Sequence, residues 1–114
     1  MSETYAEYTQ DLSATIGGIR KDIPEVMQGF SAMAGAALAD GALSKKTKEL
    51  IALSIGVAGH CKGCIGFHVK ALIALGVTRE ELAEALGMAI YMGGGPSLMY
   101  AAEAMQAFEE FTAE

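Results

Sequence analysis

The chain has 114 residues, a hydrophobic fraction of 52% and a formal net charge of −6 at pH 7. This length fits a single domain over residues 1–114, and the acidic charge excludes the basic face that nucleic-acid binding requires. The N-terminal segment is too polar for a signal peptide, and the longest uncharged stretch is interrupted by Gly-Gly-Gly-Pro. We therefore expect a cytoplasmic protein with neither a membrane nor a nucleic-acid partner.

Small apolar residues dominate the composition, which includes 14 glycines and seven methionines but no tryptophan. This composition suits closely packed helices better than a β-sandwich. So much apolar surface in a short chain also indicates contacts between subunits, and we expect a homo-oligomer.

Apolar residues recur at helical spacing along the whole chain and predict about six helices without strands. The fold class is therefore all-α. The first helix is predicted over residues 3–21. The second is predicted to follow a cap at Asp22, with Pro24 in its first turn, and to stop at residues 40–41.

The third and fourth predicted helices form an antiparallel hairpin. Ser44 can cap the third helix, and the glycine and histidine at positions 59–60 end it. The fourth helix begins at or near Cys61 and ends at Gly76, because glycine readily adopts the left-handed conformation that follows many helices.

The fifth and sixth predicted helices form a second hairpin. Residues 78–81 read as a capping box that opens the fifth helix. The glycine-rich segment 93–96 is predicted to be the turn into the sixth helix.

The first hairpin carries the residues with the most reactive side chains. The two cysteines of the chain, Cys61 and Cys64, share one helical face with His68, because their spacings are three, four and seven residues. Counting equal rises outward from the turn places Glu49 opposite His68. The sequence thus predicts a carboxylate, an imidazole and two thiols in a line.

Such a line of groups favours redox chemistry. A thiolate is stabilised near a helix N-terminus, and an imidazole four residues further on can take the proton of a thiol. A carboxylate beside the imidazole would orient it and stabilise its charged form. With two residues between them, the thiols can form and break a disulfide as one attacks an oxidant and the other resolves the product.

The spacing of Glu49, Cys61, Cys64 and His68 resembles the alkylhydroperoxidase D-like branch of the carboxymuconolactone decarboxylase family, over roughly residues 25–110. The resemblance implies an all-helical fold assembled as trimers or hexamers, with no metal or organic cofactor. It further implies that Cys64 attacks a hydroperoxide, that Cys61 resolves the sulfenic acid as a disulfide, and that Glu49 and His68 relay protons. A thioredoxin-like or lipoyl-type dithiol would then return the electrons.

The sequence departs from that branch at Gly63, where the branch commonly carries a histidine. His60, just before the first cysteine, is a possible auxiliary residue in its place, or simply a residue of the turn. The expected activity is a thiol peroxidase that reduces hydroperoxides.

Three other interpretations remain open for the same residues. The dithiol could reduce protein or small-molecule disulfides instead of hydroperoxides. A non-redox decarboxylase-like enzyme would not need the dithiol. Two thiolates, an imidazole and a carboxylate could also bind zinc in a structural oligomer, and cysteines can be buried simply as small apolar residues.

Overall fold

The computed structural model describes residues 3–113, and all six of its regular elements are α-helices. The prediction of an all-α fold with six helices is confirmed. Among these residues, no helix is both long enough and apolar enough to cross a membrane. The helices are α1 (Tyr5–Asp22), α2 (Pro24–Leu38), α3 (Lys45–Ala58), α4 (Lys62–Ala74), α5 (Arg79–Gly93) and α6 (Gly95–Thr112).

Side-chain hydroxyl caps fix the beginnings of three helices, α1, α3 and α5. The Ser44 hydroxyl accepts a backbone N–H from the first turn of α3, and Thr78 and Glu81 form a complete capping box on α5. Both caps were predicted from the sequence and are confirmed. A further capping box, formed by Thr4 and Glu7, opens α1.

The connections α1–α2 and α5–α6 are shorter than predicted. Asp22 does not cap α2; it is the last residue of α1, and Ile23 alone links the two helices without a side-chain cap. Pro24 still opens α2, where its missing N–H leaves no bond unmade. Only Gly94 separates α5 from α6, and its φ of +76° explains why a glycine is needed there.

The core lies between the two hairpins α3–α4 and α5–α6, since α3 packs on α4 and α5 while α6 packs on the same two helices. α1 lies across α4 and α6 and closes one side of this four-helix unit. The buried apolar side chains of these four helices are Leu53, Val57, Ile65, Val69, Leu72, Leu82, Leu86, Ala89, Ala101, Ala104 and Ala107.

α2 is apolar but contributes no buried residue to this core. Its side chains Val26, Phe30 and Met33 are 64%, 59% and 62% exposed. The surface at the end of the second hairpin is similarly apolar, with Met92 and Met99 exposed. The fold therefore leaves two apolar surfaces outside its own core.

Candidate active site at the start of α4

A disulfide joins Cys61 to Cys64 at the start of α4, with 5.2 Å between their Cα atoms. Cys61 is the N-cap residue of the helix, with extended backbone angles, and Cys64 lies in the first turn. The backbone N–H of Cys64 donates to Sγ of Cys61 over 3.1 Å. The two thiols predicted to act together are thus covalently joined at a helix N-terminus.

The turn before Cys61 is held by the last carbonyl groups of α3. The N–H of Cys61 donates to the carbonyl of Gly56 over 2.9 Å, and His60 adopts a positive φ of 58°. Within residues 3–113 His60 is the one non-glycine residue in this left-handed region, which is common just after a helix. Gly56 is needed because a Cβ atom there would lie 3.0 Å from Cβ of Cys64.

Glu49 and His68 are paired across the hairpin. Oε1 of Glu49 lies 2.6 Å from Nδ1 of His68, as the register of an antiparallel hairpin leads one to expect. The Glu49 side chain is only 4% exposed, whereas that of His68 is 30% exposed. A buried carboxylate needs such a partner, and the contact fixes the imidazole so that Nε2 is left to exchange protons.

His60 lies at the surface next to the disulfide. Its ring stacks on that of Tyr100 from α6, with 4.8 Å between ring centroids and 5° between ring planes. His60 is therefore a residue of the turn held by an aromatic contact. Sequence reasoning missed Tyr100 because no local signal links residues 40 positions apart on different helices.

Lys62, between the two cysteines, was also missed. Its ammonium lies 4.5 Å from the ring centroid of Tyr8 and 5.5 Å from that of Tyr5. Cation–π contacts of this kind attach the first turn of α4 to α1. Of these two tyrosines, Tyr5 belongs to the core, since it is 3% exposed.

Tyr5 anchors the N-terminal end of α1 to α6. Its hydroxyl donates to the carboxylate of Glu103, and its backbone N–H donates to the carboxylate of Glu110 over 2.7 Å. Burial and the bond to Glu103 raise the pKa of Tyr5 well above its ordinary value. The phenol therefore stays protonated and keeps α1 in place over α4.

α1 also explains the glycine at position 63. A Cβ atom on Gly63 would lie 2.8 Å from Cδ2 of Leu12, so α1 occupies the space that a larger side chain would need. Gly66, one turn later, is equally close to Thr9, at 2.6 Å from its Cγ2 atom. A histidine before Cys64 would therefore require the Leu12 side chain to move.

In the part of the chain that the structure describes, no three His, Cys, Asp or Glu side chains are grouped so that they could hold a metal ion.

The fold and site define a small all-α protein with a Cys-x-x-Cys disulfide at a helix N-terminus beside a buried Glu–His pair. The model of the carboxymuconolactone decarboxylase family matches residues 24–107. This match covers most of the chain, and the protein belongs to the carboxymuconolactone decarboxylase family.

Its relatives include proteins of three bacteria. The chain is 60% identical to a carboxymuconolactone decarboxylase family protein from Legionella pneumophila, for which an apo crystal structure is known. The two structures superpose with a TM-score of 0.93, and the match covers 96% of this chain and 97% of the Legionella chain. It is 37% identical to an uncharacterized protein of Cupriavidus necator, over 90% of this chain and 91% of the relative. It is 34% identical to an uncharacterized protein of the cox locus of Paracoccus denitrificans, over 86% of this chain and 88% of the relative.

Proposed function

We propose that the protein is a thiol-dependent oxidoreductase that reduces hydroperoxides through a Cys61–Cys64 dithiol–disulfide cycle. The observation that carries the proposal is the disulfide at the start of α4, one helical turn from an imidazole that a buried carboxylate orients. Membership of the carboxymuconolactone decarboxylase family agrees with a redox role for such a pair. The names of the relatives assign no activity.

In the proposed oxidation, His68 takes the proton of the Cys64 thiol, and the thiolate attacks one oxygen of the hydroperoxide. The O–O bond breaks, the alcohol leaves with the proton from His68, and Cys64 becomes a sulfenic acid. Cys61 then attacks Sγ of Cys64. The S–O bond breaks, the hydroxide takes a proton from solvent and leaves as water, and the disulfide forms. Glu49 keeps the imidazole oriented throughout.

The cycle closes when an external dithiol, of thioredoxin-like or lipoyl type, returns two electrons to the disulfide. The proposed reaction uses the redox-active disulfide itself and no metal or organic cofactor. Dithiol donors of this kind are maintained in reducing compartments, which supports a cytoplasmic location.

Reduction of protein or small-molecule disulfides is the second candidate. It is favoured by Gly63, because the chain lacks the histidine that the peroxidase branch commonly carries there. Disulfide exchange needs only the two thiols and a suitable leaving group, so it does not depend on that histidine.

Mass spectrometry of the reduced protein, before and after one equivalent of an organic hydroperoxide, tests the proposal. We expect the wild-type protein to lose two mass units. Cys61→Ser should trap a sulfenic acid on Cys64, whereas Cys64→Ser should not form one, because Cys61 lies seven residues from the imidazole that protonates the leaving alcohol.

If both cysteines stay reduced in excess hydroperoxide, the peroxidase function is wrong. Oxidation by a small disulfide under the same conditions would then assign the protein to disulfide reduction. A decarboxylase activity that survives the double change Cys61→Ser, Cys64→Ser would instead indicate the non-redox class.

We also propose that copies of this chain assemble through α2. A monomeric protein of this mass exposes about 6,000 Å², whereas this chain exposes 7,081 Å². The excess, about 1,100 Å², resembles the area that each partner buries in a stable interface. An open cavity of about 610 Å³ between α1 and α2, lined in part by Met27, Phe30 and Phe67, lies on this surface. Trimers or hexamers would cover it.

A further inference from the structure

We propose that Cys61 holds the thiolate of the reduced pair and that the external dithiol bonds to Cys64 when it reduces the disulfide. This division of roles rests on the proposed redox function and specifies how the external dithiol reduces the Cys61–Cys64 disulfide. It also adds to the role of Cys61, which the family resemblance describes only as the resolving thiol.

The position of the two sulfur atoms on α4 supports this division. Sγ of Cys61 occupies the N-cap position and accepts the N–H of Cys64 over 3.1 Å. A negative charge at this position receives a charge-assisted hydrogen bond and lies at the positive end of the helix dipole. Cys64 belongs to the helix itself and has no corresponding N–H donor. The same charge is therefore better stabilised on Cys61.

The charged groups around the helix start act in the same direction. The first turn of α4 contains no acidic residue, and Lys62 follows Cys61 directly, its ammonium fixed over the rings of Tyr8 and Tyr5 on α1. Lys62 thus adds a positive charge to the first turn of α4, and a positive charge near a thiol favours its thiolate.

The remaining titratable groups come from α3, α4, α6 and the turn. On α3 the carboxylate of Glu49 is bound to His68 of α4. From α6, Tyr100 stacks on His60 of the turn. The negative charge of Glu49 is thus engaged by an imidazole that lies one turn beyond Cys64, on the far side from Cys61. The carboxylate of Glu103 on α6 accepts from the hydroxyl of Tyr5, whose ring lies 5.5 Å from the ammonium of Lys62.

The location of the thiolate decides which sulfur the reductant attacks. In thiol–disulfide exchange, the sulfur that is more stable as a thiolate leaves faster. A thiolate of the donor therefore attacks Sγ of Cys64, the Cys61–Cys64 bond breaks, and its electron pair stays on Cys61. The product is a mixed disulfide between the donor and Cys64.

The donor's second thiol completes the reduction. It loses its proton to His68 and attacks the donor sulfur of the mixed disulfide. The donor closes as a disulfide, and Cys64 leaves as a thiolate that takes this proton from His68. The pair returns to a thiolate on Cys61 and a thiol on Cys64. In the next oxidation, that thiolate displaces hydroxide from the sulfenic acid, and the hydroxide takes a proton from solvent and leaves as water.

A trapping experiment on the full-length oxidised protein tests the assignment. The disulfide form is mixed briefly with 2-mercaptoethanol, a thiol that cannot complete the second step, and quenched with acid and N-ethylmaleimide. Trypsin cuts after Lys62, so the two cysteines fall in separate peptides, residues 49–62 and 63–70. We expect mercaptoethanol on Cys64 and maleimide on Cys61, with at least about a tenfold excess over the opposite pattern. An equal distribution, or an excess of mercaptoethanol on Cys61, overturns the proposal.

Thiolate absorbance at 240 nm in the two single variants gives an independent measurement. Cys64→Ser keeps the N–H of residue 64, and Cys61→Ser keeps a capping hydroxyl, so both retain the helix start. At pH 7 we expect the thiolate fraction to be about tenfold higher in Cys64→Ser than in Cys61→Ser. An equal or higher fraction in Cys61→Ser contradicts the proposal.

Failure of this assignment can be told apart from failure of the peroxidase function. The disulfide for the trapping experiment is made with a small disulfide oxidant, so it does not require reaction with a hydroperoxide. A protein that ignores hydroperoxides but traps mercaptoethanol on Cys64 keeps the assignment and loses the peroxidase function. A protein that reduces hydroperoxides but traps mercaptoethanol on Cys61 keeps the function and loses the assignment.

Discussion

The carboxylate of Glu49 lies 2.6 Å from Nδ1 of His68, although the two residues are 19 positions apart in the chain. The contact joins α3 to α4 through a carboxylate that is almost fully buried. A buried acceptor of this kind fixes the orientation of its imidazole.

Glu49→Gln should therefore slow the oxidation of the reduced protein by an organic hydroperoxide by about 10- to 100-fold. The amide keeps the size of the side chain but removes the charge that stabilises the imidazolium. Stopped-flow measurement of thiol loss checks this. The matched control Glu84→Gln, on the exposed surface of α5, should react like the wild type. Equal rates in Glu49→Gln and the control would remove Glu49 from the proposed relay.

Gly66→Ala should destabilise the protein by about 1–3 kcal/mol, because the new Cβ would lie 2.6 Å from Thr9, which is itself buried and unable to move away. Gly87→Ala is the control, since it lies in the middle of α5 with nothing within 4 Å. That change should stabilise by about 0.5–1 kcal/mol. Urea unfolding of both variants measures the difference, and effects of equal sign would contradict this packing of α1 on α4.

Tyr5→Phe should destabilise the protein by about 1–3 kcal/mol at pH 7, because it removes the bond to Glu103. The pKa of Tyr5 is raised in the folded state, so above about pH 10 the unfolded chain loses the phenol proton first. The stability that Tyr5 contributes is thus complete below pH 10 and declines above it. The gap between wild type and Tyr5→Phe should shrink from pH 10 upward in urea unfolding, whereas Tyr91→Phe, at an exposed position, should follow the wild type.

Glu81→Gln should lower stability at neutral pH and have no effect in acid. The N–H of Thr78 and the ammonium of Lys46 hold the pKa of Glu81 below its ordinary value. Wild type therefore loses this contribution as the pH falls through the lowered value. When thermal unfolding is measured from pH 7 to pH 3, the melting temperatures of wild type and Glu81→Gln should converge at the acid end. Glu80→Gln, in the same turn but outside the capping box, should not show this pH dependence.

Phe30→Glu should reduce the proposed assembly to monomers, because it places a charge in the exposed apolar face of α2. Sedimentation velocity would report the change in mass. Gln10→Glu, an exposed polar position on α1, adds the same charge elsewhere and should leave the assembly intact. A wild-type protein that sediments as a monomer at micromolar concentration would refute the assembly itself.

The sequence by itself determined the six helices, the caps at Ser44 and Thr78, and the pairing of Glu49 with His68. These features depend on signals that act over one or two turns: helical periodicity, capping hydroxyls and the spacing of cysteine and histidine. The one cap assigned wrongly, Asp22, shows the limit of a local signal. α1 continues through it because the N–H of Ile23 bonds to the carbonyl of Ile19.

Only the tertiary structure decided which helices surround the disulfide. The contact of Tyr100 with His60, the position of Lys62 over Tyr8, and the packing of Leu12 against residue 63 all join different helices. Each depends on how far one helix is rotated and shifted against another, and that is settled by the packing of the whole core rather than by neighbouring residues. Spacing along the chain therefore defined the reactive groups, and helix packing defined their surroundings.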